Sequence, residues 1–266
     1  MSNARNRYCV PRLCNFMAFG KMFGIKNLCR FYFKKWDLFN LPVSLPVFGI
    51  ISRKDELLSI RDNILQGSLR DRGIERDIRK AKEPLIVDCG INVGMTVRWW
   101  FYLNGQAIVY GIDMMQEAID FTLSALPERF KARFVPITAV LGPETGRVVE
   151  LSYDDPLFGA NNAKISRGCS KNRRVNSMTL DDCLNNYRIG AIDLLKVDIE
   201  DSAAQMFRGA TKTLSRARNI LLEIHSEKER EDSLSLLREK GFCVGKTYKR
   251  HVWLKKIVNE MGKIGL

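Results

Sequence analysis

The sequence has only two histidines, His225 and His251, and its seven cysteines (Cys9, Cys14, Cys29, Cys89, Cys169, Cys183 and Cys243) form no C-x-x-C pair and no Cys/His cluster. An odd number of scattered thiols in apolar contexts predicts reduced cysteines, and argues against a disulfide framework or a zinc site. No apolar run approaches the roughly 20 residues that cross a bilayer. The N-terminus also lacks the apolar core and small-residue cleavage site of a secretory signal. A cytoplasmic location is the expectation. Internal repeats and low-complexity tracts are missing too, which argues against a repeat architecture.

Acidic residues are missing from one region altogether. Residues 1–36 carry Arg5, Arg7, Arg12, Lys21, Lys26, Arg30, Lys34 and Lys35 but no Asp or Glu. More than half of the formal net charge of +13 sits there. The same segment holds Tyr8, Phe16, Phe19, Phe23, Phe31, Tyr32, Phe33 and Trp36. Basic residues interleaved with aromatics can dock on anionic lipid or on RNA. They can equally pack their rings on a folded domain while the charges stay solvated. The stretch Asn40–Gly49, with two prolines and a glycine, closes this arm. The expected organisation is an arm over 1–45 and one domain over 46–266.

What is present from Pro84 onward is an alternation of short apolar runs with helical patterns. "LIVDCG", "AIVYGID", "RFVPITAVL", "AIDLLKV" and "NILLEIH" read as strands. "VGMTVRWWFYLNG", "MQEAIDFTLSAL", "SAAQMFRGATKTLSRA" and "KEREDSLSLLREKG" read as the helices between them. "GRVVELSY" reads as a further strand, "MTLDDCLNNY" as a short helix capped by Thr179, and "FCVGKTYKRHVWLKK" as a closing antiparallel hairpin. The "WWFY" run of the first helix reads as a buried surface rather than an aromatic cage. Near-continuous apolar strands separated by helices predict an α/β fold with a doubly wound, mainly parallel sheet covered on both faces. In such sheets a ligand binds at the carboxyl ends of the strands, so those ends are the positions to inspect.

The first strand ends in "DCGINVGMT", Asp88 to Thr96. Gly90 and Gly94 allow a tight turn and close backbone approach to a ligand. The helix start behind them offers free N–H groups to an anion. The spacing is G-x-x-x-G. It matches neither the dinucleotide fingerprint nor the P-loop. At the end of the next strand, Asp113 is placed to accept the hydroxyls of a ribose. Glycine loop and acid together point to an adenosine-containing cofactor.

These residues resemble a family. "VDCGINVGMT" is similar to the first motif of class I S-adenosylmethionine-dependent methyltransferases, in the form typical of the FkbM family. "ITAVLGPETGRVVEL", "VNSMTLDDCL", "IDLLKVDIED", "FRGA" and "LLEIH" follow in the family's order, over about residues 46–255. The resemblance implies a seven-stranded Rossmann-like domain that binds S-adenosyl-L-methionine and methylates a hydroxyl on a small molecule or a glycan. It further implies that Asp88, Cys89, Gly90, Asn92 and Gly94 shape the methionine and ribose pocket and that Asp113 holds the ribose hydroxyls. Thr138, Ala139 and Val140 would lie along the adenine, while Met114, at a helix start, either contacts the adenine or serves packing. Asp198 would face the methionine ammonium and the transferring methyl. The chain differs from the family's pattern at Asp201, where a glycine is usual, and at Ala203, where a glutamate is usual.

A hydroxyl acceptor has to lose a proton, which a positioned base assists. Asp198, Glu200 and His225 are the candidates. Acids at a helix start are also favoured by the helix dipole without any catalytic role, which is the competing reading of Glu200 and Asp201. Asp198 and Glu200 would share a face only on a continuing strand, and no second ligand set stands out, so no metal is expected. Two further classes remain open at this point. One is an RNA methyltransferase that uses the basic arm. The other is a cofactor-binding protein without catalysis, tethered peripherally to a membrane by that arm. The oligomeric state is not encoded in any feature of the sequence.

Overall fold

In the computed structural model, the described residues are 41–45, 48–65, 67–157 and 171–257, together with Gly24 and Lys26. The basic aromatic arm (1–36) therefore lies almost wholly outside them, as does most of the polar segment between Asp154 and Lys171. The chain divides into two compact units, residues 1–68 and 69–266.

In the first unit, strands β1 (Val43–Leu45) and β2 (Gly49–Ile51) pair antiparallel. Helix α1 (Lys54–Ser59) follows and runs on as a π-helical turn over Ile60–Leu65. Its start is closed by Glu56, whose Oε2 accepts from the Ser52 and Arg53 amides at 2.8 and 2.9 Å. That satisfies two N–H groups a helix start would leave unpaired.

The second unit opens with α2 (Arg72–Lys80), N-capped by Asp71, whose Oδ1 accepts from the amides of Gly73 and Ile74. A seven-stranded sheet follows. In chain order its strands are β3 (Leu85–Cys89), β4 (Ile108–Asp113), β5 (Phe134–Thr138), β9 (Leu194–Val197), β10 (Asn219–Glu223), β11 (Phe242–Tyr248) and β12 (His251–Lys256). Their spatial order is β11-β12-β10-β9-β3-β4-β5. All neighbouring pairs from β10 to β5 are parallel, and β12 runs antiparallel to both β10 and β11. This is the doubly wound, mainly parallel sheet the apolar runs predict, with the expected C-terminal hairpin. The chain winds from β3 through β4 to β5 on one side and from β9 to β10 on the other. The switch point thus falls between β3 and β9, where such sheets bind ligands.

The helices that cover the sheet are α3 (Met95–Leu103), α4 (Gln116–Ala125), α5 (Glu128–Lys131), α6 (Leu180–Cys183), α7 (Ala203–Arg208), α8 (Thr211–Arg216) and α9 (Glu227–Glu239). In α3, Trp99, Trp100 and Phe101 are buried, in keeping with a helix apolar on nearly every side. Thr179 caps α6 as expected, its Oγ1 accepting from the Asp182 amide at 3.0 Å.

Two expectations need correction. The stretch Ser202–Ala217 forms two helices rather than one, broken at Gly209 and Ala210. A Cβ at position 209 would press on the carbonyl of Gly142 and on the Thr179 side chain, so only a glycine lets the chain pass there. The Asp181 amide also donates to the Gly209 carbonyl, at 3.2 Å. The second correction concerns strand β8 (Lys171–Met178), which the sequence reading did not assign. With β6 (Val140–Leu141) and β7 (Val148–Tyr153) it builds a separate three-stranded sheet of order β6-β8-β7. "KNRRVNSM" has one apolar residue inside it, because its outward face is solvated, so it shows no apolar alternation. No helix among the described residues is long and apolar enough to cross a membrane.

Candidate active site at the sheet switch point

The loop after β3 is held open by its neighbours. Gly90 (φ +80°), Asn92 (φ +48°) and Gly94 (φ +70°) all take left-handed conformations. Gly90 also runs against β9, and a Cβ there would collide with the Asp198 carbonyl. The Gly90 amide donates to the Ile112 carbonyl at 2.8 Å, and the Asp198 amide to the Cys89 carbonyl at 3.0 Å. Asp113 completes the frame. Its two carboxylate oxygens accept from the Asn92 and Met115 amides, both at 2.9 Å, which joins the loop to the start of α4. Burial pushes the Asp113 carboxyl above the ordinary aspartate value, although these amide bonds pull it down.

Beneath the loop lies a buried ion pair. Lys196 Nζ sits 3.2 Å from Asp88 Oδ1 and 3.4 Å from Asp198 Oδ2, and donates to the Gly90 carbonyl at 2.6 Å. Asp88 is closed to solvent and also accepts from Trp100 Nε1 at 2.8 Å. Burial favours the neutral amine, but Asp88 and Asp198 outweigh it, and Lys196 titrates above the usual lysine range.

The series of alternating charges continues out to the rim. His225 Nε2 lies 3.2 Å from Asp198 Oδ1, and His225 Nδ1 lies 3.2 Å from Glu200 Oε2. Asp88, Lys196, Asp198, His225 and Glu200 therefore alternate in sign when the imidazole is protonated. Burial opposes charging His225, but its hydrogen bond to Asp198 and the Glu200 carboxylate lift it to about 9. Asp198 is half-buried, and although desolvation opposes its charge, Lys196 and His225 hold it well below the usual carboxylate range. Glu200 behaves in the opposite way. Burial, with Asp198 and Glu223 nearby, pushes it up to about 7 despite the imidazole. Glu200 and Asp201 follow β9 with φ of +43° and +50°, a region that disfavours residues with a side chain.

One feature of this rim was not foreseen. Glu229, near the start of α9, is buried and accepts from the Ala203 amide at 3.1 Å and the His225 amide at 2.8 Å. It ties the loop after β9 to the end of β10, so the segment carrying Asp198 and Glu200 and the residue His225 share one anchor.

These elements enclose a cleft of about 260 Å³, near the lower end of small-molecule pockets, roughly 300–1,000 Å³. Of the residues anticipated from sequence, Gly90, Asn92, Asp113, Met114, Ala139 and Val140 line it, as do Asp198, Glu200 and His225. Asp88, Cys89, Gly94 and Thr138 do not. The Asp88 carboxylate and the Cys89 thiol are buried within the sheet layer, and burial raises the thiol well above its ordinary value. Gly94 turns toward Thr122, and the exposed Thr138 donates to Gln116 Oε1 at 2.5 Å. Glu223, Arg250 and Ser202 line the cleft and were missed. Glu223 had a readable signal, since it stands two residues before His225 and such residues share a face while the strand lasts. Arg250 had none, because its place depends on the hairpin turn. Asp198, Glu223 and His225 could offer three ligand atoms within 4.8 Å of one another, the arrangement a divalent cation needs. Asp198 and His225 are already engaged with each other and with Lys196 and Glu200, and Glu223 Oε2 lies 3.0 Å from His251 Nε2.

No curated protein matches the chain. Among solved structures, a Methanococcus jannaschii fibrillarin, a pre-rRNA processing protein, is similar at 14% identity and TM-score 0.39, over 65% of each chain. An S-adenosylmethionine-dependent O-methyltransferase from Thermotoga maritima is similar at 11% identity and TM-score 0.41, over 79% of this chain and 68% of that one. Magnesium protoporphyrin IX methyltransferase from Synechocystis is similar at 12% identity and TM-score 0.41, over 85% and 91%. The Methyltransferase FkbM domain matches residues 88–244, from the last residues of β3 into β11. The chain belongs to the FkbM methyltransferase domain family and is an S-adenosylmethionine-dependent methyltransferase.

Proposed function

We propose that this enzyme methylates a hydroxyl oxygen on a small molecule or a carbohydrate, and that Glu200 takes the hydroxyl proton. The observation that carries this reading is the placement of His225 between Asp198 and Glu200 at the rim. An imidazole bracketed by two carboxylates holds its proton at neutral pH and is a poor base. Glu200, pushed up to about 7, is matched to abstracting a proton there. His225 then orients Glu200, and Lys196 keeps Asp198 ionised.

The cleft suits S-adenosylmethionine on two grounds. Its wall carries Asp113, Asp198, Glu200 and Glu223, carboxylates able to accept from a cationic, hydroxyl-bearing ligand. The collision a side chain at position 90 would suffer marks a backbone path that needs the glycine. Gly90 and Asn92 would lie along the methionine part and Asp113 would hold the ribose. Met114, Ala139 and Val140 would flank the adenine, with Asp198 facing the ammonium. Asp88, Cys89, Gly94 and Thr138 are assigned supporting roles behind these residues. When bound, the cofactor supplies an activated methyl carbon on a sulfonium, and the protein contributes alignment and proton removal.

No metal enters this scheme, because Asp198 and His225 are engaged in the charge series and Glu223 with His251. A chelator is expected to leave turnover of the purified protein unchanged. Calorimetry on the full chain should show binding of S-adenosylhomocysteine, and Glu200→Gln should keep that binding while losing transfer to a hydroxyl acceptor. A well-folded sample that binds neither S-adenosylmethionine nor S-adenosylhomocysteine would refute the cofactor assignment. Efficient transfer to amines or to RNA bases would refute the oxygen acceptor.

A further inference from the structure

A second cavity, of about 290 Å³, opens at the other end of the sheet. Ile192, on its wall, precedes β9, whereas Asp198 follows it. Six residues of extended chain span about 20 Å, so the two cavities lie at opposite strand ends. This one belongs to no step of the methyl transfer.

Its lining is cationic. Arg188, Lys212 and Arg216 all contribute to it, and none of the three side chains makes a hydrogen bond or an ion pair with a described residue. Lys212 and Arg216 stand four apart on α8, so two like charges share one helix face, a mildly unfavourable arrangement without a counter-ion. Asp181 is the carboxylate of the lining, and its oxygens are engaged elsewhere. Oδ1 accepts from the Thr213 amide and hydroxyl, both at 2.7 Å, and Oδ2 from the Lys212 amide at 2.8 Å. The nearby Asp182 is held by Thr145 and Thr179. The floor is apolar, made by the buried Leu184, Ile189 and Ile192, with the Tyr187 ring beside them.

We propose that this cavity binds a small phosphate ester. The two guanidinium groups match a phosphate, which they can grip with paired hydrogen bonds, and the ammonium adds a third charge. The apolar floor and Tyr187 receive the carbon body of the ester, a part that inorganic phosphate lacks. A bounded cavity with such a floor suits a small molecule better than the backbone of a nucleic acid. The inference is independent of which acceptor the active site methylates.

The test is calorimetry on the full chain with three probes: phenyl phosphate, inorganic phosphate and phenol. Phenyl phosphate should bind most tightly, inorganic phosphate more weakly, and phenol not measurably. The double variant Arg188→Gln with Arg216→Gln should weaken phenyl phosphate at least about tenfold while leaving S-adenosylhomocysteine binding intact. Lys212→Met, an exposed single change, carries the test if the double variant melts early. Unchanged phenyl phosphate affinity in the variants, failure of both phosphate probes to bind, or phenol binding as well as the ester would each overturn the proposal. So would binding of an RNA oligonucleotide alone with a steep salt dependence.

Discussion

Replacing Lys196 by methionine removes one ammonium from beneath the active-site loop and little volume. Lys196 is 3% exposed and Asp88 is fully buried, 3.2 Å apart. The variant would leave Asp88 with Trp100 Nε1 as its remaining hydrogen-bond donor and Asp198 with His225. Breaking a buried pair by removing one partner costs about 3–5 kcal/mol, because the other charge stays desolvated. For a chain of this size each kcal/mol lowers the melting temperature by about 2–4 °C, so a fall on the order of 10 °C is expected. The Gly90 carbonyl also loses its donor, so S-adenosylhomocysteine affinity should drop with stability. The assay is thermal and urea denaturation of the wild type, Lys196→Met, Asp88→Asn and the double variant. Since the Lys196 pKa is raised on folding, its contribution is complete below the ordinary value of 10.5 and is lost only as pH rises through the higher folded value. The difference between wild type and Lys196→Met should therefore persist from pH 6 to pH 9, as a ~3 kcal/mol gap. The double variant should recover much of the loss. A single-variant cost under about 1 kcal/mol, or strict additivity in the cycle, would refute the ion-pair argument.

Four more outcomes follow from the same geometry. Activity should rise with pH through about 7 as Glu200 ionises and decline through about 9 as His225 loses its proton; Glu200→Gln should lose about 10²–10⁴-fold in rate and flatten the rising limb. Because the His225 pKa is raised on folding, stability from its bracket is complete below about 6.5 and lost as pH rises through about 9, which pH-dependent melting of wild type against His225→Gln would show; melting differences that grow with pH would contradict it. Gly90→Ala should abolish S-adenosylhomocysteine binding and lower stability sharply, since the new Cβ meets backbone at a positive φ, and a variant that melts and binds like the wild type would show the loop is looser than described. Asp201→Gly should change stability by less than about 1 kcal/mol, relief of the left-handed conformation being offset by the entropy glycine adds to the unfolded chain. A larger loss would mean that the Asp201 carboxylate holds something the geometry does not reveal.

Much of the fold is local in origin and was legible. Apolar runs such as "LIVDC" and "LLKV" form strands buried on both faces, so their composition alone marks a parallel sheet. Thr179 and the Gly90–Gly94 loop carry their conformational reasons in the residues themselves. Strand β8 was not legible because its outward face is polar, and the break at Gly209 because it answers to Gly142, far away in the chain.

The site divides in the same way. From the sequence alone came the loop after β3, the acids Asp113, Asp198 and Glu200, the histidine at 225 and the family to which they belong. The pairing of Lys196 with Asp88, 108 positions away, arises only when β3 and β9 lie side by side. The same holds for the anchoring by Glu229, for Glu223 and Arg250 in the cleft wall, and for the second cavity at the opposite strand ends. Charge, volume and backbone freedom are properties of a residue and can be read one at a time. A pKa, a collision or a cavity belongs to a set of residues, and only the folded chain decides which residues form the set.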